Sequence, residues 1–330
     1  MHDRPPRRLR ALASTATIAL TTVALFSLLA EVGLRVFYPQ VLLFPRWEHS
    51  DEYGILLPRN TTMLHRRPGH WEYRYTINAY RCRGPYVSIS NEYNTRNIVV
   101  LGDSYGMGMG VDDGEEFPAV MAAKLGDAYR VINTSTPGWG LTQQIRRFYE
   151  FGQLYRPRAV ILQFCANDPA DNLRDRVTRI EKGRFTFHDS QRSVNPVFKS
   201  LSRFRLVQAS HLYALIRAAY EARRDANVAN ASAPTDDESV YNELLELFAH
   251  DLRESDIDFI VIDVDAQLDR FPGIKARVQS LHADGSLRYL DTVPWLAATS
   301  NYSSPEGHRW GAKAHQVIGE KLADSIRNDG

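Results

Sequence analysis

The sequence contains a serine and a histidine in settings that suit nucleophilic chemistry. Ser104 ends the turn Gly102-Asp103-Ser104, directly after an apolar segment, and its flanking glycines let the backbone bend sharply. A serine hydroxyl attacks a carbonyl when a histidine accepts its proton and a carboxylate orients that histidine. His308 and Glu306, near the C-terminus, supply those two groups. The alternatives are structural: Ser104 as a helix N-cap, and Glu306 as a first-turn acid on the last helix.

Two hydrogen-bond donors follow other apolar segments in a similar way. Gly138 lies in a Pro-Gly-Trp-Gly run, and Asn167 lies in the run Cys165-Ala166-Asn167-Asp168. A backbone N–H at Gly138 and the side-chain amide of Asn167 are neutral donors of the kind that stabilise a developing oxyanion. The two residues are therefore candidate oxyanion-binding groups.

The elements that must position these residues form an alternating pattern of strands and helices. Five short Val-, Ile- and Leu-rich runs predict buried strands: Asn97–Leu101, Arg130–Asn133, Ala159–Phe164, Asp258–Val264 and Leu287–Leu290. Amphipathic stretches between them, and one after the last, predict helices. The pattern indicates an α/β fold with a parallel sheet covered on both faces, whose functional groups gather at the carboxyl ends of the strands.

This arrangement resembles the SGNH (GDSL-type) hydrolase superfamily over roughly Arg96 to Ile326. The Gly-Asp-Ser turn matches its first block, Gly138 its second and Asn167 its third, although Ala166 stands where the family usually has Gly. The resemblance implies a doubly wound three-layer sandwich around a mostly parallel five-stranded sheet. It also implies Ser104 as nucleophile, and an oxyanion hole made by the N–H groups of Ser104 and Gly138 with the Asn167 side chain.

The last block departs from the family pattern. The family usually places an Asp two or three residues before its catalytic His, and this chain has Glu306 and Pro305 there. One alignment makes His308 the base and Glu306 its acid. The other matches Gly307-His308 to a later Gly-His pair and puts the catalytic positions near Ser300 and Tyr302, which are unsuited to the roles of acid and base.

The N-terminus predicts a membrane anchor. Ala11 to Ala30 contains no charge and is long enough as a helix to cross a bilayer, and four arginines precede it. The positive-inside tendency then places the rest of the chain outside the cytoplasm, in the periplasm. A cleaved signal peptide is the alternative, but Leu28 before Ala30 makes a poor cleavage site. The Glu31-x-x-x-Arg35 exit and the stretch 78–84 also resemble membrane-anchored bacterial members of the superfamily.

Three units are expected along the chain. Residues 1–35 form the cytoplasmic stub and anchor, 36–95 an N-terminal extension without clear periodicity, and 96–330 the hydrolase-like domain with an insertion at about 173–239. Within the insertion, the polar stretch Asn227 to Asp237 predicts a flexible loop. The basic residues of Lys199–Arg205 are expected on a solvated helix face, or alternatively against anionic lipid headgroups or an acidic glycan.

Composition narrows the remaining possibilities. The 330 residues carry a formal net charge of +1, which removes the usual electrostatic argument for a nucleic-acid partner. No HExxH pair suggests a metal site, and the Gly106–Gly110 run lacks the spacing of a nucleotide loop, so no cofactor is expected. Export permits one disulfide, between Cys82 and Cys165. Trp139 and Trp310 are candidates for stacking on a sugar or for a half-buried cleft wall, and His315 is expected to be structural.

Three functions fit these observations. The first is a membrane-anchored extracytoplasmic serine esterase that removes acyl, plausibly acetyl, groups from a cell-envelope glycan or a related ester. The second is an O-acyltransferase that uses the same Ser–His chemistry with a sugar hydroxyl as acceptor. The third is an envelope binding or assembly protein with weak catalysis, suggested by the irregular last block and by Ala166.

Overall fold

The computed structural model describes residues 7–91, 95–192, 195–202, 204–229 and 234–328. Helix α1 (Arg7–Phe37) opens the chain. Its segment Ser14–Phe37 is long and apolar enough to cross a membrane, as a signal sequence also is, and its most apolar window is entirely unburied. An unburied apolar helix of this length suits a lipid environment.

The extension contains regular structure that its sequence did not reveal. Its strands are β1 (Leu42–Phe44), β2 (Glu48–Ser50), β3 (Gly54–Leu56), β4 (Thr61–Arg67) and β5 (Trp71–Ile77). They form an antiparallel sheet of order β1-β4-β5 and a separate β2-β3 hairpin. Three of these strands are only three residues long, and β4 and β5 carry many charged residues, so the hydrophobic pattern is weak. A small core that includes Leu57, Met63 and Tyr75 joins this sheet to Met107 of the main domain.

The central sheet follows the predicted pattern closely. The later strands are β6 (Arg96–Leu101), β7 (Tyr129–Asn133), β8 (Ala159–Phe164), β9 (Thr178–Glu181), β10 (Arg184–Phe187), β11 (Asp258–Asp263) and β12 (Arg288–Leu290). Five of them pair in parallel in the order β12-β11-β8-β6-β7, whereas β9 and β10 make an antiparallel hairpin. The chain runs outward from β6 to β7 and then returns to β8, so the topological switch point lies at the carboxyl end of β6. All five predicted strands are present, with ends that differ by at most one residue.

The remaining helices include those that cover the two faces of that sheet. They are α2 (Ser104–Met107), α3 (Phe117–Leu125), α4 (Leu141–Glu150), α5 (Asp168–Asp175), α6 (Pro196–Leu201), α7 (Arg205–Gln208), α8 (His211–Ala229), α9 (Pro234–Glu254), α10 (Pro272–Ala283), α11 (Val293–Leu296) and α12 (Ala312–Asn328). Apolar side chains of α4, α9 and α10 pack on one face. Those of α3 and α12 pack on the other. The predicted three-layer α/β sandwich is confirmed.

The insertion contains more helix than expected. It comprises the β9–β10 hairpin, α6, α7, α8 and the beginning of α9. The loop predicted over Asn227 to Asp237 is wrong at both ends, because α8 continues to Ala229 and α9 begins at Pro234. Residues 230–233 lie outside the described part of the chain. The polar composition of this stretch concealed helical segments whose ends carry good helix formers such as Ala and Glu.

Candidate active site

Ser104 lies where β6 ends and α2 begins, at the switch point of the sheet. It is the first residue of α2, and Asp103 caps that helix by accepting a hydrogen bond from the Tyr105 N–H at 2.9 Å. The N-cap role considered for Ser104 therefore belongs to Asp103. Ser104 is half-buried, so its hydroxyl remains within reach of a ligand.

Close backbone packing holds this turn in place. Gln163 Oε1, from β8, accepts hydrogen bonds from the N–H groups of Asp103 at 3.2 Å and Gly106 at 2.8 Å. A Cβ at Gly102 would lie 2.7 Å from that oxygen, and one at Gly106 would collide with Ser135. Both positions therefore need glycine because neighbouring side chains approach the backbone. Gln163 was missed from the sequence, although a glutamine in the apolar run Ala159–Phe164 was a signal for it.

Arg83 of the extension clamps the chain just after Ser104. Its guanidinium is buried and donates to the carbonyl oxygens of Met107 at 3.0 Å, Gly108 at 2.5 Å and Val111 at 2.9 Å. Its charge is balanced by Glu116 at 3.5 Å. Because a buried guanidinium must satisfy its donors, this arrangement ties the extension to the turn that carries Ser104.

His308 joins Ser104 to Glu306 in one hydrogen-bonded chain. His308 Nε2 lies 3.0 Å from Ser104 Oγ, and Nδ1 lies 2.6 Å from Glu306 Oε2. In the tautomer that suits these partners, Nδ1–H donates to the carboxylate and Nε2 accepts from the serine hydroxyl. Burial raises the pKa of Glu306, but the hydrogen bond and charge of His308 outweigh that effect and hold the pKa below its usual range.

The positions favoured by the other alignment have different partners. Tyr302 donates its hydroxyl to Asp265 at 3.4 Å, and its carbonyl accepts from the Gly311 N–H at 2.6 Å. The Ser300 carbonyl accepts from Lys313 Nζ at 3.5 Å. The geometry thus favours the alignment that uses Glu306 and His308.

The extension also supports the loop that carries the acid. Tyr73 Oη and Ser304 Oγ lie 3.2 Å apart, and Ser304 donates to the Gly110 carbonyl at 2.8 Å. Gly110 N–H in turn donates to Tyr75 Oη at 3.0 Å. Gly110 has a φ of 83°, and a Cβ there would lie 2.9 Å from Glu306 Oε2. These contacts were not visible in the sequence, because nothing in the 36–95 pattern links it to the last block.

Gly138 and Asn167 lie on the loops after β7 and β8, at the same carboxyl edge as Ser104. Gly138 has a φ of 72°, a left-handed conformation that favours glycine, and its carbonyl accepts from Arg174 at 2.6 Å. The Asn167 amide is exposed and donates to Asp171 Oδ2 at 2.8 Å. Ala166 fits its position: its N–H donates to Gln267 at 2.7 Å.

Several carboxyl groups are buried behind these loops. Burial raises the pKa of Asp103, a rise that hydrogen bonds from Tyr105 N–H and Asn167 oppose. Burial, reinforced by the charge of Asp103, raises the pKa of Asp168 well above its usual range. Burial raises the pKa of Asp171 to about 6, although Arg174 opposes it. Burial and the mutual repulsion of these acids both disfavour their ionised forms.

The disulfide expected between Cys82 and Cys165 is absent. Both cysteines are free and buried. Cys165 Sγ donates to Gln267 Oε1 at 3.3 Å, while Cys82 lies beside Arg147. Each thiol therefore has a separate polar partner in the fold.

The two tryptophans beside the motifs are core residues, so neither the stacking nor the cleft-wall role applies. Trp139 and Trp310 are 1% and 0% exposed. Their indole N–H groups donate to the Ile55 carbonyl at 2.9 Å and to Asp265 at 3.0 Å. His315 is also buried, accepting from the Phe117 N–H at 3.1 Å.

A cleft lies next to the Gly138 loop, between the extension and the insertion. Its wall includes Ile55, whose side chain reaches within 3.8 Å of the position of a Cβ on Gly138. Aromatic rings of Trp47, Phe198 and Tyr220 line the same cleft. Among the described residues, no group of three or more His, Cys, Asp or Glu side chains is arranged to hold a metal.

Comparison with known proteins gives structural likenesses only. No family model matches the chain, and no curated protein matches it. One similar solved structure, from Desulfitobacterium hafniense, is described as lipolytic and of the G-D-S-L family (11% identity, TM-score 0.45, 70% of this chain, 99% of that one). Another is a carbohydrate acetylesterase from Sinorhizobium meliloti (10% identity, TM-score 0.42, 72% of this chain, 100% of that one). A third is an acetyl xylan esterase from Butyrivibrio proteoclasticus (13% identity, TM-score 0.40, 73% of this chain, 65% of that one). Identities and TM-scores this low show a likeness of fold and carry no information about the reaction.

Proposed function

We propose that this chain is a membrane-anchored serine esterase with Ser104 as nucleophile, His308 as general base and Glu306 as the acid that orients it. The observation that carries the proposal is the continuous chain from Ser104 Oγ through the imidazole to Glu306 Oε2, with distances of 3.0 and 2.6 Å. Nucleophile, base and orienting acid within hydrogen-bond reach are the signature of activated-serine catalysis.

The mechanism follows from these contacts. Ser104 Oγ attacks the ester carbonyl while His308 Nε2 takes its proton, and the carboxylate of Glu306 stabilises the imidazolium that results. The N–H groups of Ser104 and Gly138 and the Asn167 amide donate to the oxyanion of the tetrahedral intermediate. His308 then protonates the leaving alcohol, and a water molecule, deprotonated by the same imidazole, releases the acid from Ser104.

The proposed location and substrate rest on coarser observations. The apolar α1 segment, with arginines on its N-terminal side, supports a catalytic domain on the extracytoplasmic side of the membrane. The aromatic cleft beside Gly138 suits a sugar ring, because aromatic faces pack well against the apolar faces of sugars. We therefore propose acyl, plausibly acetyl, esters of a cell-envelope glycan as the substrate.

Hydrolysis of p-nitrophenyl acetate by the detergent-solubilised full chain tests the reaction. The wild type is compared with Ser104→Ala and with Ser303→Ala, which removes an exposed serine from the last-block loop. We expect the first variant to lose turnover and the second to keep it. Equal rates in all three proteins would contradict the proposal.

A further inference from the structure

The insertion exposes large apolar side chains around α6 and α7. Leu206 is 90% exposed, Val197 61% and Phe204 59%. Single exposed apolar residues are common on soluble proteins, but several on one short stretch mark an interaction surface. We call residues 196–202 and 204–206 the insertion surface.

Specific contacts hold the insertion surface beside the end of α1. Glu31 of α1 accepts hydrogen bonds from the N–H groups of His211 at 3.0 Å and Leu212 at 2.9 Å, and from the Ser210 hydroxyl at 2.8 Å. It therefore caps α8, which directly follows α7 in the chain. The Gln40 N–H donates to His211 Nδ1 at 2.9 Å, so the chain leaving α1 is fixed to the same point.

A second set of contacts holds α7 itself. The last residue of α7, Gln208, accepts a hydrogen bond from the Arg46 N–H at 2.7 Å, and α7 packs against β1. The last residue of α1 and the residue after it are also apolar and exposed, since Phe37 is 86% exposed and Tyr38 58%. The exposed apolar residues of the insertion surface therefore lie near those of the helix exit.

The insertion around this surface is basic in sequence, although Glu31 of α1 and Glu221 of α8 lie close by. Residues 190–220 contain no Asp or Glu, whereas Lys199 lies in α6 and Arg205 in α7. Lys199 and Arg205 are exposed. Phe and Leu interleaved with Arg and Lys are typical of segments that lie in the interface of a bilayer containing anionic lipid.

We propose that the insertion surface lies in the headgroup region of the membrane that α1 spans, with Phe204 and Leu206 buried among lipid and Lys199 and Arg205 at anionic headgroups. The proposal rests on the membrane anchoring of the proposed function. The bilayer is the occupant because Glu31 fixes α8, and α7 just before it, to the helix end that leaves the membrane. This second attachment would hold the catalytic domain at a set orientation above the membrane.

The test uses the full chain in vesicles of phosphatidylethanolamine and phosphatidylglycerol. Leu206→Cys is labelled with the environment-sensitive fluorophore NBD, and the unlabelled background is low because both native cysteines are buried. Leu154→Cys, at an exposed leucine after α4, is the matched aqueous control. We expect blue-shifted emission at position 206 and severalfold stronger quenching by headgroup-spin-labelled lipid there than at position 154.

A third label separates failure of this proposal from failure of the anchor. NBD at Leu25→Cys, within α1, must report lipid if the helix spans the bilayer. Lipid contact at position 25 with a water-like signal at 206 would overturn the insertion surface and leave the anchor intact. Water-like signals at both positions would overturn both. Turnover of p-nitrophenyl acetate by each labelled protein reports the esterase separately, since none of the three positions lies in the proposed catalytic machinery.

Discussion

The turn that carries Ser104 and the loop that carries Glu306 and His308 are held in different ways. The serine turn extends directly from a buried parallel strand and is fixed by Gln163 of the neighbouring strand. The loop of the last block has no strand of its own. It is held through Ser304 and Gly110 by tyrosines from the N-terminal extension. Ser104 is thus positioned mainly by the central fold, and Glu306 by an element outside it.

The same difference accompanies the sequence resemblance, which is close at the Gly-Asp-Ser turn and departs at the last block. A residue at the end of a sheet strand has little freedom to move. A loop supported from outside can take a longer acid at a different spacing, as Glu306 does here. We therefore expect turnover to need both the Ser104 turn and the loop that carries Glu306 and His308. Of these two, only the loop depends on the extension.

The largest expected effect comes from breaking both regions together. Ser104→Ala and His308→Ala should each lower kcat by about 10⁴-fold or more, and the double variant should be little worse than either, because the residues act as a unit. Steady-state kinetics on p-nitrophenyl acetate measures this. Multiplicative losses in the double variant would show that the two regions work independently.

Loss of an oxyanion donor should have a smaller effect. Asn167→Ala is expected to lower kcat by about 10²–10³-fold while changing KM little, since the donor acts mainly in the transition state. Asn91→Ala, an exposed asparagine ahead of β6, is the control and should match the wild type. A change in KM alone would place Asn167 in ground-state binding instead.

Gly110→Ala tests the support of the acid loop. Its Cβ would lie 2.5 Å from Ser304 Oγ and 2.9 Å from Glu306 Oε2, so we expect kcat to fall roughly 10- to 100-fold through displacement of the carboxylate. Gly114→Ala is the matched control: it has a similar φ of 87° with nothing near its Cβ. Both variants should lose about 1–2 kcal/mol of stability from backbone strain, but only the first should lose activity. Equal kcat values for the two variants would show that turnover does not depend on the position of the Glu306 carboxylate.

The smallest effect on activity concerns His65 of β4. Its Nδ1 lies 2.8 Å from Tyr75 Oη of β5, in the β4–β5 hairpin of the extension. Burial lowers the pKa of His65 to about 4, below the ordinary value near 6.5, so the folded state favours the neutral ring. Its contribution to stability is complete above pH 6.5 and is lost as the pH falls towards 4. Between pH 7 and pH 4, the free energy of unfolding of the wild type should therefore fall by about 3 kcal/mol more than that of His65→Gln.

Urea unfolding at a series of pH values measures that difference, with His70→Gln, an exposed histidine of the same hairpin, as control. The kcat of His65→Gln at pH 7 should stay close to that of the wild type. Parallel stability curves for the wild type and His65→Gln would show that this histidine is not held neutral by the fold.

The sequence predicted what depends on local pattern. The five strands, the helical faces and the strand-end positions of Ser104, Gly138 and Asn167 follow from hydrophobic periodicity and from the rule that sites form at carboxyl edges. The alignment of the last block stayed open, because it depends on which loop residues reach Ser104 in space. The contacts of Arg83, Tyr73 and Tyr75 join segments far apart in the chain, and no local pattern records such packing. The buried state of Trp139 and Trp310 was missed for the same reason.

Active-site labelling tests the proposed triad most directly. The full chain is treated with a fluorophosphonate, which reacts only with an activated serine, and the adduct is located by mass spectrometry. We expect a single adduct on Ser104 in the wild type, with labelling largely abolished in His308→Ala and strongly slowed in Glu306→Gln. An adduct on another serine, or equal labelling of Ser104 in the wild type and His308→Ala, would contradict the proposed triad.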